Sequence, residues 1–483
     1  MKPNIVLIVA DTARFESVSR ETAPSITEFG ENGTTYTNAI ATAPWTLPSH
    51  ASLFTGKYPS AHGAHAGNKR LSDANRTVVE ALRDAGYETV GVSNNTWISP
   101  EFGFARGFET FRKNWQYIQS SVDFGEVARN REGLTKLFAA AKKGLRGNPL
   151  VNAVNLIYGQ FGRSHSDNGA KRSNEWIEDW VNSRDDDRPF MLFVNYLEPH
   201  LEYRPPEQYA NKFLPDSVSF DEAMDANQDA WQYIAGKVEM TDRDFDVLRA
   251  LYDAEINYLD EQIASLVASL KEADEWEDTV CVIVGDHGEN IGDHGLMDHQ
   301  YSLYETLVNV PLIVHGRGFG GNSTVDQLVQ LTDIPPTLLD VAGVDETAFN
   351  SECQGKPLPS PAAPSTREFT VSEYLAPQPS MSALQRRVGE LPPEVYQYDT
   401  SLRAIRTHEW KLVRQEDGST ELYDLSEDAM EIENVVDEYG DIAETLEEQL
   451  DQWLDSFEHA TPGTGAEMSE ETKNRLEELG YLQ

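Results

Sequence analysis

VIVGDHGENIGDHGLMDHQYSLYETLVNVPLIV (282–314) sets two apolar runs around a segment dense in Asp, His and Gly. The runs, TVCVIVG (279–285) and VPLIVHG (310–316), are continuous rather than alternating. That pattern predicts strands covered on both faces, as in a parallel sheet between helices. Asp286 and His287 follow the first run at once, where a strand meets its loop. In open α/β sheets, ligands bind beyond the carboxyl ends of strands, so these two residues are candidate site residues.

Four more runs share the pattern: NIVLIVA (4–10), TVGVS (89–93), FMLFVNY (190–196) and FTVSEY (369–374). Helical stretches lie between them, such as RTVVEALRDAG (76–86), ended by Gly86, and DAEINYLDEQIASLVASLKEA (253–273). Strand–helix alternation predicts an α/β fold with a large, mostly parallel sheet sandwiched by helices. Asp11 follows the first strand, and Glu198 and His200 follow the 190–196 strand. Three strands thus bring Asp, His and Asp-His to one edge.

Residues 1–375 read as this α/β domain and 376–483 as a small antiparallel α+β subdomain. LRAIRTHEWKLVRQEDGSTELYDL (402–425) is a hairpin signal that turns at Gly418. Acidic amphipathic helices are expected near 440–458 and 469–482, the second capped by Ser469. GKPLPSPAAPST (355–366) is a Pro-rich loop. Residues 129–172 carry a net charge of +7. They read as a solvated helical insertion, or, more sharply, as a platform for an anionic substrate or anionic lipid headgroups.

The 483 residues carry a net charge of −42, which disfavours nucleic acid as a partner. Only 14 of the 39 basic residues are lysine, and an acidic, Lys-poor surface suits a high-salt, halophilic cytosol. Two cysteines, Cys281 and Cys353, make no disulfide framework and fit a reducing compartment. The apolar run after MKPN is short and leads straight to Asp11, so it reads as a strand rather than a signal peptide. No stretch is long and apolar enough for a spanning helix, and a cytoplasmic location is expected.

PNIVLIVADTAR (3–14), TLPSHASLFTGKYPSAHG (46–63), the 282–314 segment, TDIPPTLLDVAG (332–343) and ELYDLSED (421–428) together resemble the sulfatase family of the alkaline-phosphatase superfamily. The resemblance covers most of the chain and implies an alkaline-phosphatase-like fold. It also implies a metal site of Asp11, Asp286 and His287, with a nucleophile at position 46. The family carries Cys or Ser there, oxidised to formylglycine. This chain has Thr46, a secondary alcohol that the same oxidation cannot turn into an aldehyde. His50 stands where the family has Arg, and Thr12 where many members have a second Asp. VSNNTW (92–97) lies where a Gly-Lys-X-His segment is usual.

Superfamily relatives that move phosphoryl groups use threonine as nucleophile. The resemblance therefore implies a metal-dependent hydrolase or transferase of phosphate esters, with a phosphodiester as the expected small anionic substrate. Thr46 would attack phosphorus and form a covalent intermediate, released by water or an acceptor alcohol. One divalent ion on Asp11, Thr46, Asp286 and His287 is expected, with Mn2+, Mg2+ or Zn2+ favoured over Ca2+. No clear second ligand set emerges, although the Asp293-His294 and Asp298-His299 pairs are suggestive. His200 or His299 would protonate the leaving group. His50 and His62 would orient Thr46 or contact the anion, and Asn94 or Asn95 would help bind substrate. Two other functions remain open: sulfate-ester hydrolysis without formylglycine, and a catalytically inactive binding protein. Thr46 would also serve as an ordinary N-cap of a helix starting near Pro48.

Overall fold

The computed structural model describes residues 2–114, 169–360 and 367–460. Its main sheet contains β1 (Asn4–Ala10), β2 (Thr34–Ile40), β3 (Glu88–Ser93), β4 (Thr110–Lys113), β5 (Phe190–Tyr196) and β6 (Thr279–Gly285). A short antiparallel pair, β7 (Asn290–Ile291) and β8 (Met297–Asp298), follows outside that sheet. β9 (Asn309–His315), β10 (Ser323–Val325) and β11 (Val329–Gln330) complete the main sheet. The order is β10-β2-β9-β6-β1-β5-β3-β4, with β11 alongside β2. Every pairing is parallel except those of β9, which runs against β2 and β6.

Register places the functional edge. Ala10 of β1 pairs with Tyr196 of β5 and Gly285 of β6, so all three strands end at one level. Ser93 of β3 pairs with Asn195, which brings the β3 loop to the same level. Asp11, Glu198, Asp286 and Asn95 therefore leave the sheet side by side. Every residue of β1, β5 and β6 is buried, which is why their sequences are apolar without alternation.

Helices cover the sheet. The predicted 253–273 helix is longer, Asp242–Glu272, because Thr241 and Asp244 form a reciprocal capping box at its start. The 76–86 helix is observed as Val78–Asp84, capped by Thr77 and Glu80. Among the described residues no helix is long and apolar enough to cross a membrane. Of the basic stretch 129–172, only 169–172 is described, leading into the Ala170–Ser183 helix.

The second sheet corrects one expectation. FTVSEY is not a strand of the large sheet: β12 (Thr370–Tyr374) is the edge of an antiparallel sheet with β13 (Leu402–Arg406), β14 (Trp410–Gln415) and β15 (Thr420–Asp424). The C-terminal unit thus starts before residue 376. An apolar strand pattern reports burial, and β12 is buried against the larger domain rather than inside its sheet. The Gly418 turn joins β14 to β15 at a φ of +86°, and the Gly440–Leu454 helix packs Leu446 and Leu450 onto Leu412 and Leu422. The expected 469–482 helix lies outside the described residues.

Two sets of hydrogen bonds fasten β12 to the main domain. Gln330, fully buried, donates from Nε2 to Val371 O and accepts from Val371 N–H. Ser372 Oγ donates to Ala41 O, and Glu373 N–H donates to Thr42 O. Gln330→Ala would leave both Val371 backbone groups unpaired in the interior, at about 1–3 kcal/mol for each group. A urea titration should show the unfolding midpoint falling accordingly; an unchanged midpoint would mean Gln330 does not fasten the two units.

Candidate active site

Thr46 is the first residue of a buried helix, Thr46–Thr55, and Trp45 is its N-cap. The expectation of Thr46 as the cap of a helix starting near Pro48 is therefore corrected. The helix begins two residues earlier because Trp45 already has extended backbone and Pro48 tolerates the first turn. Thr46 Oγ1 is then free of capping and points at the sheet edge. It lies 3.3 Å from His287 Nε2, 3.4 Å from Asn95 Nδ2 and 3.5 Å from Asp11 Oδ1.

The surrounding side chains are fixed by their own neighbours. His287 Nδ1 donates to Gly288 O at 2.9 Å, which leaves Nε2 as the inward lone pair. That nitrogen is 3.4 Å from Asp286 Oδ2 and 3.8 Å from Asp11 Oδ1. Asp286 Oδ1 accepts from the backbone N–H of Thr12 and of His287. Asn95 donates to Asp11 Oδ2 at 2.5 Å, while Asn195 Oδ1 and Trp97 N–H hold its backbone and side chain. Thr12 sits at φ +62°, a strained conformation for a β-branched residue, pinned by Asp286 and by Tyr252 Oη on its carbonyl.

Thr46 Oγ1, Asp11 Oδ1, Asp286 Oδ2 and His287 Nε2 thus converge, and all four side chains are fully buried. Burial, with the charge of Asp286, pushes the Asp11 carboxyl well up. Burial opposes charge on Asp286 too, but His287, His50 and the Thr12 N–H hold it at about 2. Burial lowers His287 to about 3, so its imidazole is neutral. Two carboxylates, a bare imidazole nitrogen and a hydroxyl facing one point, with no Arg or Lys among the described residues to pair with the acids, fit a divalent cation.

A second group sits beside the first. His299 Nδ1 faces Asp298 Oδ1 at 2.5 Å and Glu289 Oε1 at 3.2 Å. The His299 ring is 4.6 Å from that of His287 and 5.2 Å from that of His200, centroid to centroid. Burial disfavours charge on His299, yet Asp298 and Glu289 outweigh it and raise the imidazole well above its usual range. Burial, only partly offset by His299, lifts Glu289 to about 7. His200 differs: burial and His299 lower it to about 4, and its Nδ1 faces Leu201 O.

The remaining sequence candidates separate. Asn95 reaches Thr46; Asn94 faces away and accepts from Ser173 Oγ at 3.2 Å. His50 does not touch the Thr46 hydroxyl. Its Nδ1 donates to Thr46 O and lies 3.3 Å from Asp286 Oδ2, so it orients a cation ligand and the first helical turn. His62 is not placed to bind substrate. Its Nδ1 accepts from Ala64 N–H, Nε2 faces Ser52 Oγ at 3.3 Å, and burial lowers it to about 3. A histidine after a Pro-Ser turn gives no sequence signal to distinguish a core ring from a binding one. Sequence reasoning missed Asn195, which locks Asn95, and the role of Glu289. Asn195 hides inside an apolar strand, whereas Glu289, three residues after Asp286, stood in the motif itself.

A sequence model of one protein family, described as Sulfatase, matches residues 3–344. The chain is 22% identical to Arylsulfatase K of Rattus norvegicus, over 93% of this chain and 77% of that protein. It is 26% identical to an arylsulfatase of Clostridium perfringens, over 71% of this chain and 76% of that protein. Among solved structures it is similar to a 2-O GAG sulfatase, with a TM-score of 0.65 and 19% identity over 97% of this chain and 98% of the other. It is also similar to the phosphonate monoester hydrolase of Agrobacterium radiobacter, with a TM-score of 0.67 and 20% identity over 95% and 96%.

Chelation tests the cation reading directly. Stripping divalent ions should leave Asp11 and Asp286 facing each other and lower the thermal midpoint, and Mn2+ should restore it. The loss corresponds to about 4 kcal/mol at an ion concentration a thousandfold above Kd. A midpoint that ignores both treatments would contradict the site.

Proposed function

This chain belongs to the sulfatase family, and from that premise we propose that it hydrolyses or transfers phosphate esters, with a phosphodiester as substrate and Thr46 as nucleophile. The observation that carries this is the position of Thr46 Oγ1, 3.3–3.5 Å from His287 Nε2, Asn95 Nδ2 and Asp11 Oδ1. A secondary alcohol has no route to formylglycine, so the hydroxyl itself is the reacting group.

Asp11, Thr46, Asp286 and His287 would hold the divalent cation, which supplies Lewis-acid charge that favours the alkoxide form of Thr46. In the cation-free chain Thr46 Oγ1 donates to Asp11 Oδ1 at 3.5 Å; with the cation bound, that hydroxyl proton would leave to solvent as the alkoxide forms. Asn95 Nδ2 donates to Oγ1 from the other side and aims a lone pair at phosphorus. The Oγ1–P bond forms as the bond to the departing oxygen breaks, giving an ester of Thr46. Water or an acceptor alcohol then cleaves that ester. His299 offers positive charge to the departing oxygen; His200, held neutral by burial, packs against it. His50 keeps Asp286 and the Thr46 turn aligned.

Sulfate esters form the second reading, favoured by the arylsulfatases among the relatives. The experiment compares bis(p-nitrophenyl) phosphate with p-nitrophenyl sulfate. Acid quenching during turnover of the diester should yield a nitrophenyl-phosphoryl adduct on Thr46, mapped by mass spectrometry. Thr46→Ala should lose the adduct and on the order of 10³-fold or more in kcat. Faster turnover of the sulfate, or diester turnover that survives Thr46→Ala, would refute the proposal. In a separate measurement, Asn95→Ala should lower kcat by about 10²-fold, as expected for loss of one donor to a developing anion, with a smaller change in KM.

A further inference from the structure

Lys69 takes no part in the chemistry above. Its ammonium sits 5.3 Å from the centre of the Trp97 ring, within cation–π reach. The side chain is half-buried, and among the described residues no carboxylate stands within ion-pair distance of it. That is unexpected in a chain with 81 acidic residues against 39 Lys and Arg. Arg14, Arg406 and Lys411, with side chains 6%, 8% and 1% exposed, each meet a carboxylate, Asp293 or Glu305. Burial alone lowers the Lys69 ammonium, to about 8, and no acid pulls it back up.

The position of this unpaired charge is fixed from both sides. His65 and Asn68 exchange backbone hydrogen bonds across a tight turn, and Asn68 Nδ2 donates to Gly63 O at 2.8 Å. Just beyond Lys69, Leu71 N–H donates to Phe102 O. The ring beneath the ammonium belongs to the site's own frame. Trp97 N–H donates to Asn95 Oδ1, and Asn95 Nδ2 reaches Thr46 Oγ1. The Trp97 ring also meets Trp45, the residue before Thr46, edge to face at 5.6 Å. A cation is thus held one indole ring away from the residues around the Thr46 hydroxyl. A half-buried charge without a partner is costly, and an arriving anionic group removes that cost.

We propose that Lys69 binds a second anionic group of the substrate, a carboxylate, sulfate or phosphate on the part of the ester that Thr46 does not attack. This deepens the reading of Thr46 as the reacting residue and rests on it. Lys69 selects which ester binds and touches none of the reacting atoms.

The probes are hexyl methyl phosphate and ω-carboxypentyl methyl phosphate, diesters of matched length whose poor alkoxide leaving groups keep turnover slow. Isothermal titration of the Mn2+-loaded full-length protein should give a Kd about tenfold lower for the carboxylate ester. Lys69→Met should bring the two affinities together, and Lys69→Arg should keep most of the difference. Equal affinities in the unaltered protein, no binding of the carboxylate ester, or a difference that Lys69→Met leaves in place would each overturn the proposal. A Lys69 that merely supports Trp97 gives the last of these results, because its loss weakens both esters alike. The first two results need no variant to fold. A Lys69-dependent difference in a chain whose Thr46 never acquires an adduct would uphold the anion site and remove the proposed function. An adduct with equal affinities would do the reverse.

Discussion

Four buried carboxylates gather at one edge of the sheet, and the arrangement of that edge answers to their charge. Asp11 and Asp286 face each other across the end of β1 and β6; Glu289 and Asp298 stand beside them. Burial first, and then the repulsion of a neighbouring carboxylate, favours protons on some members, and Asp11 and Glu289 are both shifted upward. The remedy visible in the chain is imidazole: His50 and His287 against Asp286, His299 against Glu289 and Asp298. Burial keeps His287 neutral, so it compensates Asp11 and Asp286 little, and their end of the site is built for a cation from outside the chain.

Holding like charges together requires a backbone that does not yield. Gly285 and Gly288 bracket Asp286 and His287 because nothing larger fits. A Cβ at Gly288 would stand 2.0 Å from Thr306 O, and one at Gly285 2.7 Å from Ala13 O. The close approach lets Thr12 N–H reach Asp286 Oδ1 and fixes which oxygen faces inward. Strain at Thr12 belongs to the same design, with Tyr252 bonded both to its carbonyl and to the N–H of Arg14.

The sequence displayed the edge far better than its wiring. Buried parallel strands announce themselves as unbroken apolar runs, so β1, β5, β6 and the residues that follow them were legible. β2 was not, because TTYTNAI mixes polar residues into a strand with a bulge and partial exposure. β12 was visible as a strand but assigned to the wrong sheet, since an apolar pattern says that a segment is covered, not by what. At the site, Asp11, Asp286 and His287 were singled out by their places after strands and Thr46 by the family resemblance, and the fold brings the four together. His62 was indistinguishable from a binding residue until its ring was seen bonded to Ser52 and Ala64. Asn195 and the Glu289 cluster needed three dimensions: their partners are far apart in the chain.

The bonds from Ser372 and Glu373 to Ala41 and Thr42 reach further than anchorage. The Thr42 hydroxyl continues to Ser52, inside the helix that Thr46 begins. The small sheet therefore abuts the helix that carries the Thr46 hydroxyl. Exchanging C-terminal modules between distant relatives would disturb that segment even if both halves folded.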